Sequence, residues 1–130
     1  MERGCRKRAV EAWRGEVSDC LPSANVFMRL HFRERKKLSD RWYLEVYAAF
    51  ATDLPTKATG KRKVTVTVRS KQPRDHANLW LTVDKLIFDN LTKLGWLTDD
   101  DEAGLFPVVR GEVGEPRTTI EIGGTGSEAD

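Results

Sequence analysis

Apolar and polar residues alternate without interruption over residues 63–69, Lys-Val-Thr-Val-Thr-Val-Arg. The three valines fall on one face and the charged and hydroxyl side chains on the other, as in a β-strand with one buried face. An amphipathic helix follows a few residues later and ends at Gly95, a residue type common just past a helix C-terminus. A strand followed closely by such a helix predicts a domain in which helices pack against a sheet.

This helix has two distinct faces when its residues are placed about 100° apart. Its polar stripe consists of Asn78, Thr82, Lys85 and Asp89. Its opposite face consists of Leu79, Val83, Leu86, Asn90 and Leu94, and is apolar apart from Asn90. We expect the apolar face to pack on the core and the polar stripe to face solvent or a cleft.

Before residues 63–69, we expect a strand near 14–21 and a helix over 32–50. After the amphipathic helix, we expect two further strands, at 105–109 and 117–122. Pro22, Ser23 and Asn25 indicate a loop between the first strand and the first helix. The sequence therefore predicts an α/β (α+β) domain with a small mixed sheet and two main helices.

The length of 130 residues fits one domain. We expect it to occupy residues 14–122, between a basic extension at 1–13 and a disordered acidic tail at 123–130. No run approaches the about 18 apolar residues of a membrane-spanning helix. The 2 cysteines are too few for a disulfide framework. These features favour a reducing cytoplasm.

Charge is distributed unequally along the chain. Residues 1–74 contain 18 Lys and Arg against 8 Asp and Glu, whereas residues 75–130 contain 4 against 12. A basic half suits contact with phosphates, and an acidic half suits metal ions. The alternative interpretation is a protein with charged tails, but the acids of residues 75–101 lie within an ordered-looking segment.

Aspartates stand at both ends of the amphipathic helix. Asp75 precedes it, and Asp99, Asp100 and Asp101 follow it. Such residues can converge when the chain folds back, and Mg²⁺ prefers clustered carboxylate oxygens. The alternative interpretation is a solvated polar face with an ordinary i,i+4 pair between Lys85 and Asp89.

The predicted helix at 32–50 has a basic beginning. Its first turns contain Arg33, Arg35, Lys36, Lys37 and Arg41. Positive charge near a helix N-terminus opposes the helix dipole, which an anionic ligand would explain. A solvated basic face is the other interpretation.

The spacing of these residues resembles the RusA family of Holliday junction resolvases. The matching positions are Asp75-x-x-Asn78, Lys85, Asp89, Gly95 and Asp99-Asp100. Residues 21–25, Leu-Pro-Ser-Ala-Asn, resemble the family's Pro-Ser-x-Asn segment, and residues 118–122 resemble its last strand. The resemblance covers roughly residues 14–122.

The resemblance implies a dimeric, Mg²⁺-dependent endonuclease that cuts four-way junction DNA in recombination and repair, in a bacterial cytoplasm or a phage-infected host. Mn²⁺ is expected to substitute for Mg²⁺. The implied catalytic residues are Asp75, Lys85, Asp89 and Asp100. The implied metal ligands are Asp75, Asp89, Asp99 and Asp100. The expected DNA contacts are Arg33, Arg35, Lys36, Lys37, Arg41 and Asn78.

The chain departs from the family pattern in two places. Ala77 stands where the family has a second aspartate, and the interval from Asn78 to Lys85 is about one helical turn longer than in the best-known members. One hypothesis is that Asp89 replaces the missing carboxylate, or that the extra helical turn realigns the helix. Another is a catalytically weakened protein that binds junctions without cutting them. A small scaffolding protein with solubilising charges is a third.

Overall fold

The computed structural model describes residues 12–50, 62–97 and 104–124, which form an α+β domain as the sequence predicts. Its strands are β1 (Ala12–Val17), β2 (Arg62–Ser70), β3 (Leu105–Val113) and β4 (Arg117–Gly124). Its helices are α1 (Ala24–Arg29), α2 (Phe32–Ala49), α3 (His76–Thr82) and α4 (Asp89–Leu94). A π-helical turn, Val83–Phe88, joins α3 to α4, so the chain is helical from His76 to Leu94. No helix in these described ranges is both long and apolar enough to cross a membrane.

The four strands form one mixed sheet in the order β1–β4–β2–β3. β2 is parallel to β3 and antiparallel to β4, which in turn is antiparallel to β1. Val64, Val66 and Val68 of β2 are all buried, which confirms the predicted alternation. Because parallel strands need a long crossover, the helical segment 76–94 connects β2 to β3. Asp75 lies in this crossover, just beyond the C-terminal end of β2, which is an inner strand of the sheet.

The core is formed by the sheet, α2 and the crossover helix. Trp42 and Val46 of α2 are buried, as are the three consecutive residues Leu86, Ile87 and Phe88 of the π-helical turn. Burial of each such large side chain contributes roughly 1.5–3 kcal/mol. The predicted core face of the crossover helix is confirmed, including the buried Asn90.

An aromatic cluster covers the end of this core where the crossover helix finishes. The ring of Trp96 lies 5.1 Å from that of Trp13 and 4.9 Å from that of Phe50. The buried guanidinium of Arg62 lies over the Trp13 ring at 4.8 Å and donates a hydrogen bond to Trp96 O at 2.8 Å. Arg62 N also donates to Gly104 O at 3.1 Å, so Arg62 connects the chain on both sides of residues 98–103.

The predicted helix over 32–50 is confirmed, and a capping box stabilises its N-terminus, where the basic residues lie. The His31 side chain accepts from Arg33 N at 3.3 Å, and the Glu34 carboxylate accepts from His31 N at 3.4 Å. These bonds satisfy N–H groups that have no partner inside the helix. α2 therefore begins in a regular way despite the cations in its first turns.

Several predicted boundaries differ from the structure. β1 spans Ala12–Val17 rather than 14–21, and β3 continues to Val113 rather than ending at 109, so the connection to the last strand is shorter than predicted. Ala12 pairs with Gly123 across the sheet, because backbone hydrogen bonds continue where side chains give no strand pattern. Residues 12–13 and 123–124 therefore belong to the domain. The rest of the predicted extension and tail lies outside the described residues.

Candidate functional site

Asp75 is exposed and forms the N-cap of α3. Its Oδ1 accepts a hydrogen bond from Asn78 N at 2.8 Å. Aspartate is among the preferred N-cap residues, and the positive end of a helix favours a carboxylate. The cap explains why α3 begins here. It also fixes the direction of the carboxylate that was predicted to bind metal.

The two segments with family-like motifs are hydrogen-bonded to each other. Ala24 N donates to the side-chain Oδ1 of Asn78 at 2.6 Å. Arg74 donates to Leu21 O through Nη1, and its Nη2 lies 3.8 Å from Cys20 Sγ. Residues 20–24 are thus fastened to residues 74–78, more than fifty positions later in the chain. The structure brings the Pro-Ser segment and the Asp75–Asn78 motif together.

Arg35 closes the bend between α1 and α2. Its Nε donates to Leu30 O at 3.0 Å, and its Nη2 donates to Met28 O at 2.8 Å. Its guanidinium also lies 5.5 Å from the centre of the Phe27 ring. These bonds satisfy carbonyls at the end of α1. Arg35 therefore has a structural role that its predicted role in DNA binding did not include.

The other predicted cations of α2 differ in how strongly they are engaged within the protein. Arg41 pairs with Asp19 at 2.9 Å and with Glu45 at 3.8 Å. Lys36 pairs with Asp40 at 3.4 Å, and both side chains are exposed. Such a surface pair is weak enough for a phosphate to replace the carboxylate. Arg33, Lys36 and Lys37 are exposed on the first turns of α2 and form the basic turn of this helix.

Three of the four residues predicted for the polar stripe of the crossover helix lie at least partly at its surface, and one does not. Lys85 is exposed and Asp89 is half-buried, as expected for that stripe. Thr82 is fully buried and its hydroxyl donates to Leu79 O at 3.3 Å, so its prediction on the stripe was wrong. Thr82 lies in α3, before the π-helical turn Val83–Phe88. The buried side of the crossover helix is wider than predicted, because α2 packs on it as well as the sheet, and it also includes Ile87, Phe88 and Leu91.

The crossover helix keeps two of the predicted metal ligands apart. Asp75 and Asp89 are separated by roughly 20 Å along the helix axis, at about 1.5 Å per residue. Carboxylates that share one Mg²⁺ each lie about 2 Å from the ion. Within one chain, Asp89 therefore does not take the place of a second carboxylate beside Asp75. Ala77, where the resemblance implies an aspartate, is exposed in the first turn of α3.

Asp99 and Asp100, the remaining predicted ligands, lie outside the described residues. The chain is described up to Leu97 and again from Gly104, both near the N-terminal end of β2. Asp75 lies beyond the opposite end of the same strand. Among the residues described, no group of three His, Cys, Asp or Glu side chains is arranged to hold a metal ion. Asp75 itself has the hard oxygen donors that suit Mg²⁺.

Sequence reasoning missed α1 and the connecting role of Arg74. Ser23 directly after Pro22 was the available signal for α1, because serine is a preferred N-cap and its hydroxyl accepts from Val26 N. Nothing in the sequence near Arg74 indicates its contact with Leu21 O, which joins distant segments.

Comparison with known proteins adds no family assignment. No protein-family model matches the chain, and a search of the curated proteins found no significant match.

Asp75→Ala should lower the free energy of unfolding by about 1 kcal/mol, because Asn78 N loses its capping acceptor. Asp75→Asn keeps an acceptor and should change stability by only a few tenths of a kcal/mol. Urea titration of both variants measures the difference. An equal loss in both would show that the negative charge, rather than the cap, stabilises α3.

Proposed function

We propose that this protein is a Mg²⁺-dependent, structure-selective endonuclease similar to RusA resolvases, which cuts four-way junction DNA during recombination and repair. The observation that supports it best is the set of hydrogen bonds between residues 20–24 and 74–78. These bonds join the two motifs on which the resemblance depends. If the two motifs resembled the family only by chance, there would be no reason for their segments to contact each other in the fold.

The arrangement of charge agrees with this proposal. α1 has six residues and is roughly 9 Å long at about 1.5 Å per residue. It is attached to Asn78 at one end and leads into the basic turn of α2 at the other. The major groove of DNA is about 12 Å wide, so one DNA arm can contact the basic turn while a phosphate lies near Asp75.

In this mechanism, the metal ion would be held by Asp75 together with Asp99 and Asp100. Because the residues on both sides of 98–103 lie at the opposite end of β2 from Asp75, these carboxylates would come from two different protomers. Bound Mg²⁺ would supply activation of water and stabilisation of the leaving oxygen in phosphodiester hydrolysis. Lys85, exposed on the crossover helix, neutralises charge on the phosphate. The basic turn of α2 follows the DNA backbone. Two opposed strands must be cut, so we expect a symmetric dimer with two sites.

A DNA-binding protein without nuclease activity is the second candidate function. Two observations favour it: Asp75 Oδ1 already accepts the capping bond, and the neighbouring position of the family's second aspartate is Ala77. Cleavage of a synthetic four-way junction with Mg²⁺ separates the two candidates. In both, the protein acts where DNA is recombined, in a bacterial cytoplasm or an infected host.

Asp75→Asn and Asp100→Asn should each abolish cleavage of a four-way junction while leaving binding intact or tighter. Each change removes a metal ligand together with a charge that repels DNA. Single-turnover cleavage and binding in Ca²⁺ measure the two effects. Normal turnover of either variant at saturating Mg²⁺ would exclude that residue as a ligand.

A mixture of these two variants tests whether one site uses both subunits. If Asp75 and Asp100 of one site come from the same protomer, every site in a mixed dimer lacks one carboxylate and the mixture stays inactive. If they come from different protomers, half the sites in a mixed dimer are complete, and nicking of one strand returns.

The basic turn of α2 should contribute to the salt dependence of DNA binding. Replacing Arg33, Lys36 and Lys37 together by Ala should flatten the log–log salt slope by roughly 0.9 for each phosphate that these side chains neutralise. Arg35 is left unchanged because it holds α1. The control replaces three exposed cations elsewhere, Lys71, Lys93 and Arg110. An unchanged slope in the α2 variant, with flattening in the control, would place the DNA surface away from α2.

Ala77→Asp should raise the cleavage rate, because it places a second carboxylate two residues after Asp75 in the first turn of α3, where the helix dipole favours negative charge. We expect a gain of at least tenfold in the single-turnover rate, equivalent to about 1.4 kcal/mol. A lower rate would mean that the existing carboxylates already form a complete site and that the added charge only repels them.

A further inference from the structure

α1 is held at both of its ends by side chains from other elements. At its start, Ala24 N donates to Asn78 Oδ1 at 2.6 Å. At its end, Arg35 donates to Met28 O at 2.8 Å and to Leu30 O at 3.0 Å. The terminal N–H and C=O groups of a helix lack partners within it, so these side chains supply them. The short helix is therefore fixed to α3 on one side and to α2 on the other.

Asn78 is engaged from both its backbone and its side chain. Its N–H donates to Asp75 Oδ1 at 2.8 Å, while its side-chain oxygen accepts from Ala24 N. A continuous series of contacts thus runs from the candidate metal-binding carboxylate through Asn78 and α1 to Arg35 and α2. The side chain is half-buried within this series.

We propose that Asn78 is a positioning residue: it fixes α1 to the start of α3 and so keeps Asp75 and the basic turn of α2 in a constant relation. The inference rests on the proposed function, in which Asp75 at the start of α3 holds the metal and the basic turn of α2 holds the DNA. It replaces the expectation that Asn78 contacts DNA directly. Loss of this bond leaves the cations in place, so DNA still binds, but the bound phosphate is no longer aligned with Asp75.

The effect of removing this bond should be confined to α1. Arg74 fastens the chain just before α1 independently, through Leu21 O and Cys20 Sγ. Residues 20–22 therefore stay attached when Asn78 is changed, and the protein keeps its fold. A net contribution of about 0.5–1.5 kcal/mol is usual for one such hydrogen bond.

The first test measures hydrogen exchange of the amides of residues 24–27 in two variants. Asn78→Leu removes the acceptor, whereas Asn78→Asp keeps it. Exchange should rise roughly two- to tenfold in Asn78→Leu and stay unchanged in Asn78→Asp. Gln72→Leu, at an exposed polar residue in the neighbouring loop, is the control for the added leucine. Unchanged exchange in Asn78→Leu would overturn the proposal without any reference to activity.

The second test separates alignment from binding in the cleavage of a four-way junction with Mg²⁺. Asn78→Leu should lower kcat by roughly two- to tenfold, with KM and the salt slope of binding unchanged. A DNA contact would instead raise KM in both variants, and more in Asn78→Asp because its charge repels phosphate. That outcome would overturn the positioning role. If the unaltered protein neither binds nor cuts junctions, the proposed function fails, and hydrogen exchange still decides whether Asn78 holds α1.

Discussion

The parallel pairing of β2 with β3 is the constraint on which the rest of this structure depends. Parallel neighbours cannot be joined by a tight turn, so the chain must cross from one end of the sheet to the other. The helical segment 76–94 makes that crossing and has different surroundings at its two ends. Its start meets α1 through Asn78, and its end meets the aromatic cluster around Trp96. The exposed carboxylate of Asp75 follows from this arrangement.

The elements that the sequence predicted well are those with a strong regular pattern. β2 alternates at every position, and α2 repeats large apolar residues at helical spacing, so both were found within one or two residues. α1 has six residues, too few for a periodic pattern, and only Ser23 marks its beginning. The longer β3 could not be predicted either, because its last residues, Arg-Gly-Glu-Val, resemble a turn by composition while pairing with β2 through their backbone.

The position of Asp75 could be predicted from the sequence, but the contacts of the residues around it could not. Asp75 at the end of β2 follows from local sequence, because the strand and the helix on either side are both recognisable. The different contacts of the α2 cations could not be predicted from the sequence, because charge alone gives Arg33, Arg35 and Arg41 the same expected role. Their differences come from distant partners: carbonyls of α1 for Arg35, and the carboxylate of Asp19 before α1 for Arg41. Contacts of this kind are set by the fold.

The π-helical turn Val83–Phe88 changes the angle between successive residues of the crossover helix. An α-helix places residues about 100° apart, whereas a turn closed by i→i+5 hydrogen bonds holds more residues and places them at a smaller angle. Asn90 donates to Leu86 O at 2.7 Å within that turn and to Ser39 O of α2 at 3.1 Å. The buried amide thus holds the wide turn against α2, and Leu86, Ile87 and Phe88 all remain in the core while Lys85 stays exposed.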